Sequence, residues 1–218
     1  MSENIRDISI SAAELYGAAA MLDIDRLTQI PRPDAPDMNA PAEREWVEEE
    51  FDGAVKLLPD IAKMVELCAW PETYCEATIY KAGKQSRYLV YAASGNVLCL
   101  HANVDGYDDG YVANLCYTDA LVNFFSGEVP AGDLTKETVT MTEAEAAAFI
   151  SQPECLVRIG FADIVDDEES VSGRNWIAVY ADGTLWQVDE GDSVTLRPLD
   201  TNALCIELSS ILNAKGGI

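Results

Sequence analysis

One histidine, His101, stands in the whole of this 218-residue chain. A zinc site built from local Cys/His spacing needs more than that. The six cysteines (Cys68, Cys75, Cys99, Cys116, Cys155 and Cys205) supply no C-x-x-C pair to make up the shortfall. Positive charge is scarce too: 14 Lys+Arg against 38 Asp+Glu leave a formal net charge of −24. Such a surface repels phosphate backbones and anionic head groups, so nucleic acid and membrane surfaces are poor partners. It steers a basic protein partner instead, or serves solubility alone. No apolar run approaches the ~20 residues of a membrane-spanning helix. The start "MSENIRDISISAAELYG" lacks a basic stretch followed by an apolar core. The expectation is therefore a cytoplasmic protein with reduced, buried thiols. G-x-x-x-x-G-K-[ST], G-x-G-x-x-G and G-x-S-x-G are all missing, and with them the nucleotide-binding and hydrolase signatures. The chain reads as a non-enzyme with no cofactor and no metal.

What is present is a globular balance: 49% hydrophobic and 24% charged residues. A chain of this length makes one large domain or two small ones and buries roughly 70% of its unfolded surface. "SAAELYGAAAMLDI" (Ser11 to Ile24) predicts a helix, because Ser11 and Glu14 have capping-box spacing and Leu15, Ala18, Ala19 and Leu22 recur at helical intervals. Pro31, Pro33, Pro36 and Pro41 then predict an extended linker. Arg44 to about Cys68 reads as helical, broken near Gly53 and Pro59, with Ile61, Met64, Val65 and Cys68 on one face. "ETYCEATIYK", "SRYLVYAAS", "NVLCLHANV" and "GYVANLCY" predict a four-stranded meander with a tight turn at Gly95, closed by a helix from about Thr118 to Phe125.

The second half repeats this order. "MVELCAWPETY" is answered by "AAAFISQPECL", "YLVYAASGNVLCL" by "WIAVYADGTLWQV", and "TDALVNFF" by "TNALCIEL". Pro71 and Pro153, Gly95 and Gly183, and Thr118 and Thr201 take matching places, and Thr142 with Glu145 caps the helix that opens the second copy. The expected fold is α+β: a duplicated helix–antiparallel β-meander–helix unit with pseudo-twofold symmetry, plus an N-terminal helix and Pro-rich linker. The expected division is 1–42 for helix and linker, 43–130 for copy one and 131–218 for copy two, forming one compact structural domain.

Cys99 and His101 invite a catalytic reading. On a strand, however, residues i and i+2 lie about 6.5–7 Å apart on one side, whereas a cysteine needs its base within ~3–3.5 Å. Asn103 extends the row without making a triad. The second copy carries Gln187 and Asp189 at the two positions, while Leu98 and Leu100 answer Trp186 and Val188. The Leu98/Leu100 face is therefore the expected core, and Cys99 and His101 are expected on an outer, partly solvated face. "NVDGYDDGY" lacks the spacing and the glutamate of an EF-hand, which leaves Asp105, Asp108 and Asp109 as at most a weak cation site. Tyr107, Asp108 and Tyr111 in this loop suit protein contact, since tyrosine offers area and a hydrogen bond at little entropic cost. Asp166, Asp167 and Glu168 stand in the matching acidic insertion "IVDDEESVSG", read as a solvated loop and a second partner-recognition candidate. "EREWVEEEF" reads as a solvated helix face, because carboxylates on one helix do not make a glycosidase pair across a cleft.

A helix ending in "LYGAAAMLDIDRLTQIPRP", a Pro-rich crossing, a helix into "LCAWPETYCEATIY", then a meander and a closing helix, the unit repeated, resembles the EspG family. The resemblance implies a cytosolic chaperone of type VII secretion, with a quasi-twofold α+β fold, that binds the helical tip of secreted PE–PPE pairs. It covers the layout of nearly the whole chain and carries over no binding residues. Two alternatives stay open: an acidic immunity-type protein neutralising a basic partner, and a small-ligand sensor or enzyme with a pocket between the copies.

Overall fold

The computed structural model describes residues 8–102, 110–130, 134–151, 153–165, 168–170 and 175–200, with 202, 203, 205, 206, 209 and 210 beyond them. The chain enters as a strand that the sequence pattern does not announce, β1 (Ile8–Ser11), and Ser11 then caps helix α1 (Ala12–Ala20). The capping box forms: the Glu14 N–H donates to Ser11 Oγ at 3.2 Å and the Ser11 N–H to Glu14 Oε2 at 2.7 Å. The helix stops short of Ile24. Asp23 takes a left-handed φ of 56°, and the Ile24 N–H reaches back to the Ala19 carbonyl at 3.0 Å, a Schellman-type end.

The Pro-rich segment is extended but firmly held. Tyr16 Oη donates to the Ile30 carbonyl and accepts from the Leu27 N–H, and Tyr91 Oη donates to the Thr28 carbonyl. Pro41 does not prevent a helix; it sits in the first turn of the short α2 (Ala40–Glu43), where a missing N–H costs nothing.

The helix expected from Arg44 onward is not there. Val47–Glu49 (β2) and Val55–Leu57 (β3) form a separate two-stranded hairpin, turning at Gly53 with φ 83°. Valines, flanking aromatics and an Asp-Gly turn outweigh the helical preference of the glutamate run. Pro59 opens α3 (Pro59–Ala69) rather than breaking a helix, and Ile61, Met64, Val65 and Cys68 are all buried along its face.

The remaining elements are β4 (Thr73–Lys81), β5 (Lys84–Ala93), β6 (Asn96–Ala102), β7 (Gly110–Tyr117), α4 (Thr118–Glu128), β8 (Val139–Met141), α5 (Glu143–Ile150), β9 (Cys155–Val165), β10 (Glu168–Ser170), β11 (Asn175–Ala181), β12 (Thr184–Asp189) and β13 (Val194–Leu199). The short β8 and β10 are further additions to the expected pattern. Eleven strands join in one sheet, in the order β1-β7-β6-β5-β4-β9-β11-β12-β13-β8, with β10 beside β9 and every pairing antiparallel. The two meanders thus meet at β4 and β9, in register from Thr73 opposite Asp163 to Lys81 opposite Cys155. Ser94 and Gly95, and likewise Asp182 and Gly183, both take positive φ, the geometry of two-residue type I′ turns.

Helices cover both faces of this sheet. On one face α1, α3 and the linker pack on Tyr74, Leu89, Tyr91, Leu98, Leu100 and Leu115, while α5 packs on Val179, Trp186, Val188 and Leu196. The Leu98/Leu100 and Trp186/Val188 rows are core, as the alternation predicted. On the other face α4, together with Ala203 and Cys205, covers Cys75, Ala77, Val90, Val97, Cys99, Val157 and Ile159. The outer-face reading of Cys99 is therefore corrected: Cys99 is 7% exposed, in a second core under α4. Alternation identifies a solvated face only when one side of a sheet is bare, and here both sides are packed. Each fully buried Leu or Tyr here is worth about 1.5–3 kcal/mol, and the central strands collect this on both faces.

Candidate functional site

The second core closes over the whole middle of the sheet, but the first does not. On the α1/α3/α5 face a stretch of sheet between the helices is left bare by the described residues. On β4, Tyr74 is buried, Glu76 and Thr78 are half-buried and Tyr80 is exposed, whereas Cys75, Ala77 and Ile79 opposite are buried. On β5 the open side carries Gln85 and Arg87, on β9 Arg158 and on β11 Asn175, all exposed. Polar residues stand here, where no helix of the described residues crosses the sheet.

The register lines these residues up. Tyr111, Ala102, Arg87, Thr78, Arg158 and Ile177 follow one another across β7, β6, β5, β4, β9 and β11. Arg87 and Arg158 flank Thr78 with their backbones about 10 Å apart. Arg87 grips Glu76 with a two-pronged pair, Nε–Oε1 2.9 Å and Nη2–Oε2 2.7 Å. That bond, before any other cause, raises the Arg87 pKa. Arg158 makes no hydrogen bond or ion pair among the described residues. A guanidinium on a sheet floor with no partner among the described residues is a notable group in a chain of net charge −24.

Tyr111 and Ala102 lead from this row into a cleft of about 1070 Å³ at the end of the strands, walled by Arg44, Glu14, Lys84 and His101. Tyr111 is half-buried on β7 and packs against the first core. Of the two sequence-derived contact residues that are described, Tyr111 and Glu168, it alone lies here. Glu168 is in β10, whose partner Val165 lies past the far ends of the central strands, on the order of 20 Å along the strand direction from the Tyr111 row. It is a strand residue rather than part of a free loop. Tyr107, Asp108, Asp166 and Asp167 lie outside the described residues, as do Asn103, Asp105 and Asp109.

A second exposed feature is the β2–β3 hairpin. Phe51 at its tip is 110% exposed, more than in an extended peptide, and Glu48, Glu49, Glu50 and Asp52 surround it. Lys56 bridges Glu48 at 3.4 Å and Glu50 at 2.5 Å. These carboxylates stand on a hairpin rather than on the expected solvated helix face, and Phe51 joins them at its tip. Its signal was an aromatic next to Asp-Gly.

All six cysteines are free thiols. Burial pushes Cys75 up to about 12, and also raises Cys68, Cys99 and Cys155. His101 stacks on Tyr88, with ring centres 4.6 Å apart and planes 18° apart, and Tyr88 meets Phe125 of α4 edge-on. Among the described residues no group of three His, Cys, Asp or Glu is placed to hold a metal ion, and no helix is long and apolar enough to cross a membrane.

No family model matches this chain, and no curated protein matches it. Among solved structures, HtdX of Mycobacterium tuberculosis aligns over 90% of this chain and 99% of its own at 10% identity, but with a TM-score of 0.17 that carries no argument. A different likeness comes from the structure of the M. tuberculosis type VII secretion system chaperone EspG5 in complex with the PE25–PPE41 dimer: TM-score 0.66, 10% identity, covering 95% of this chain and 96% of that one. At that identity the likeness establishes the fold alone: this chain is an α+β protein built around one large antiparallel sheet on the plan of that chaperone structure.

Proposed function

We propose that this protein is a non-enzymatic, cytoplasmic protein-binding module of EspG-like chaperone type, which holds a helical export substrate against the bare central sheet face. One observation carries the reading: among the described residues, the central strands, covered on one face by the second core, are left open on the other between α1/α3 and α5, with no partner for Arg158 on the floor. A face of that shape suits a helical tip laid between flanking helices. The likeness to the EspG5 chaperone structure supports the same reading at the level of fold. The two meanders are, in this proposal, copies of one unit (43–130 and 131–218) about a pseudo-twofold axis between β4 and β9, with 1–42 packed on the first. Tyr111 is the contact residue at the groove wall, and Phe51 a second contact on the hairpin. Tyr107, Asp108, Asp166, Asp167 and Glu168 remain proposed rim contacts.

The net charge of −24 favours one competing reading, an inhibitor of a basic protein. Affinity capture from the native host, with the bound species identified and then reconstituted from purified parts, separates the two. The expected partner is a helical secreted protein whose capture falls at least about tenfold with Arg158→Glu and with Phe51→Ala, at unchanged melting temperature. A basic toxin or enzyme in its place, held equally by both variants, would establish the inhibitor. A chain that captures nothing reconstitutable defeats both readings.

A further inference from the structure

Strand β1 ends the sheet. It pairs with β7 on one side, and among the described residues no strand lies on its other side. In an antiparallel pair the main-chain groups of alternate residues point away from the partner, and an edge left that way is a template for another strand. The usual guards, a lysine or proline on the edge itself, are absent from "ISIS".

The outward Ser9 carbonyl and both outward groups of Ser11 are nonetheless taken. The Ser9 carbonyl accepts a hydrogen bond from Arg44 Nη2, 35 residues away in sequence. The Ser11 N–H donates to Glu14 Oε2 at 2.7 Å, and the Ser11 carbonyl, as the N-cap, begins the ladder of α1. Arg44 Nε and Glu14 Oε1 stand 3.3 Å apart, which joins the two plugs into one. The guanidinium is held over the buried Trp46 ring at 5.2 Å from its centre. A second strand can add to β1 only by displacing this assembly.

We propose that the Arg44–Glu14 pair is a latch over a strand-addition edge, and that the partner this edge fits when the latch is removed is β1 of a second copy of this chain. The edge is self-complementary. Antiparallel pairing of two β1 strands about a twofold axis sets Ile8 and Ile10 against Ile10 and Ile8 on one face, and Ser9 against Ser9 on the other. Ile10 already belongs to the first core and Ile8 packs against it, so the pairing would run that core across both copies.

Light scattering on the purified full chain at about 0.5 M NaCl, where screening acts within a few Å, tests this. Arg44→Ala is expected to raise the measured mass roughly twofold over wild type at matched concentration. Adding Ser9→Pro, which blocks the edge without needing its outward N–H, is expected to return it to the wild-type mass. Arg44→Gln, too short to span both sites, serves where Arg44→Ala fails to fold by circular dichroism. A folded Arg44 variant with wild-type mass overturns the latch, and an association that survives Ser9→Pro overturns the edge.

Discussion

At the scale of single residues, partial burial gives His101 a titration signature. Desolvation lowers its pKa below the ordinary histidine value, and its ring lies flat on Tyr88. The unfolded chain takes up this proton near pH 6.5 and the folded chain only at lower pH. Between those two points the unfolded state binds more protons, so the contribution of His101 is complete above about pH 6.5 and is lost as pH falls toward the folded pKa. Fewer ionised carboxylates at low pH also relieve the net negative charge, so the informative quantity is a difference. The gap in melting temperature between wild type and His101→Gln should narrow from about pH 7.5 to about pH 5. A gap constant over that range would show that the imidazole titrates alike in both states. Cys99, by contrast, should resist thiol reagents in the folded protein, since α4 buries it and burial raises its pKa.

At the scale of elements, α1 and the linker are in close backbone contact. A Cβ on Gly17 would stand 1.9 Å from the Asp37 carbonyl oxygen, and the Asp37 N–H donates to the Ala13 carbonyl at 2.9 Å. The obstacle is backbone, so it cannot swing aside. Gly17→Ala raises helix propensity, yet it must push the linker off α1. The expected result is a net loss of about 1–3 kcal/mol in urea unfolding. An unchanged or increased stability would mean that the linker gives way freely. Legibility divides along similar lines. The capping boxes at Ser11/Glu14 and Thr142/Glu145, the Gly95 turn and the strands β4 to β7 could be read from local pattern, because short-range hydrogen bonds decide them. The β2–β3 hairpin could not, since Glu48 to Glu50 favour helix and only the pairing of Val47 with Leu57 reverses that. Strands β1, β8 and β10 are three or four residues long and owe their existence to a neighbour in the sheet. Of the candidate site, the pattern offered Tyr111 as a tyrosine of a polar loop, whereas β7 half-buries it against the first core. Arg87, Thr78 and Arg158 come from strands far apart in the chain, and only the β4–β9 register brings them into one row.

For the molecule as a whole, charge is the dominant long-range term. The described ion pairs lie at the surface, with side chains from 21% to 51% exposed, so each contributes about 0–1 kcal/mol. Against these stands a net charge of −24 that repels itself in the compact state more than in the expanded one. Salt screens the surface pairs and the net repulsion together, and the sign of the outcome says which is larger. With 38 acidic residues and 14 basic ones, most carboxylates have no cation to lose. Melting temperature should therefore rise by several degrees between about 20 mM and about 500 mM NaCl, as the screening length shrinks from roughly 20 Å to a few Å. A falling melting temperature would mean that the few ion pairs outweigh the net charge. The same titration bears on the partner. A basic protein drawn in by this field would associate more slowly with every addition of salt, whereas a helical tip seated on the bare sheet face would keep its dissociation rate nearly constant.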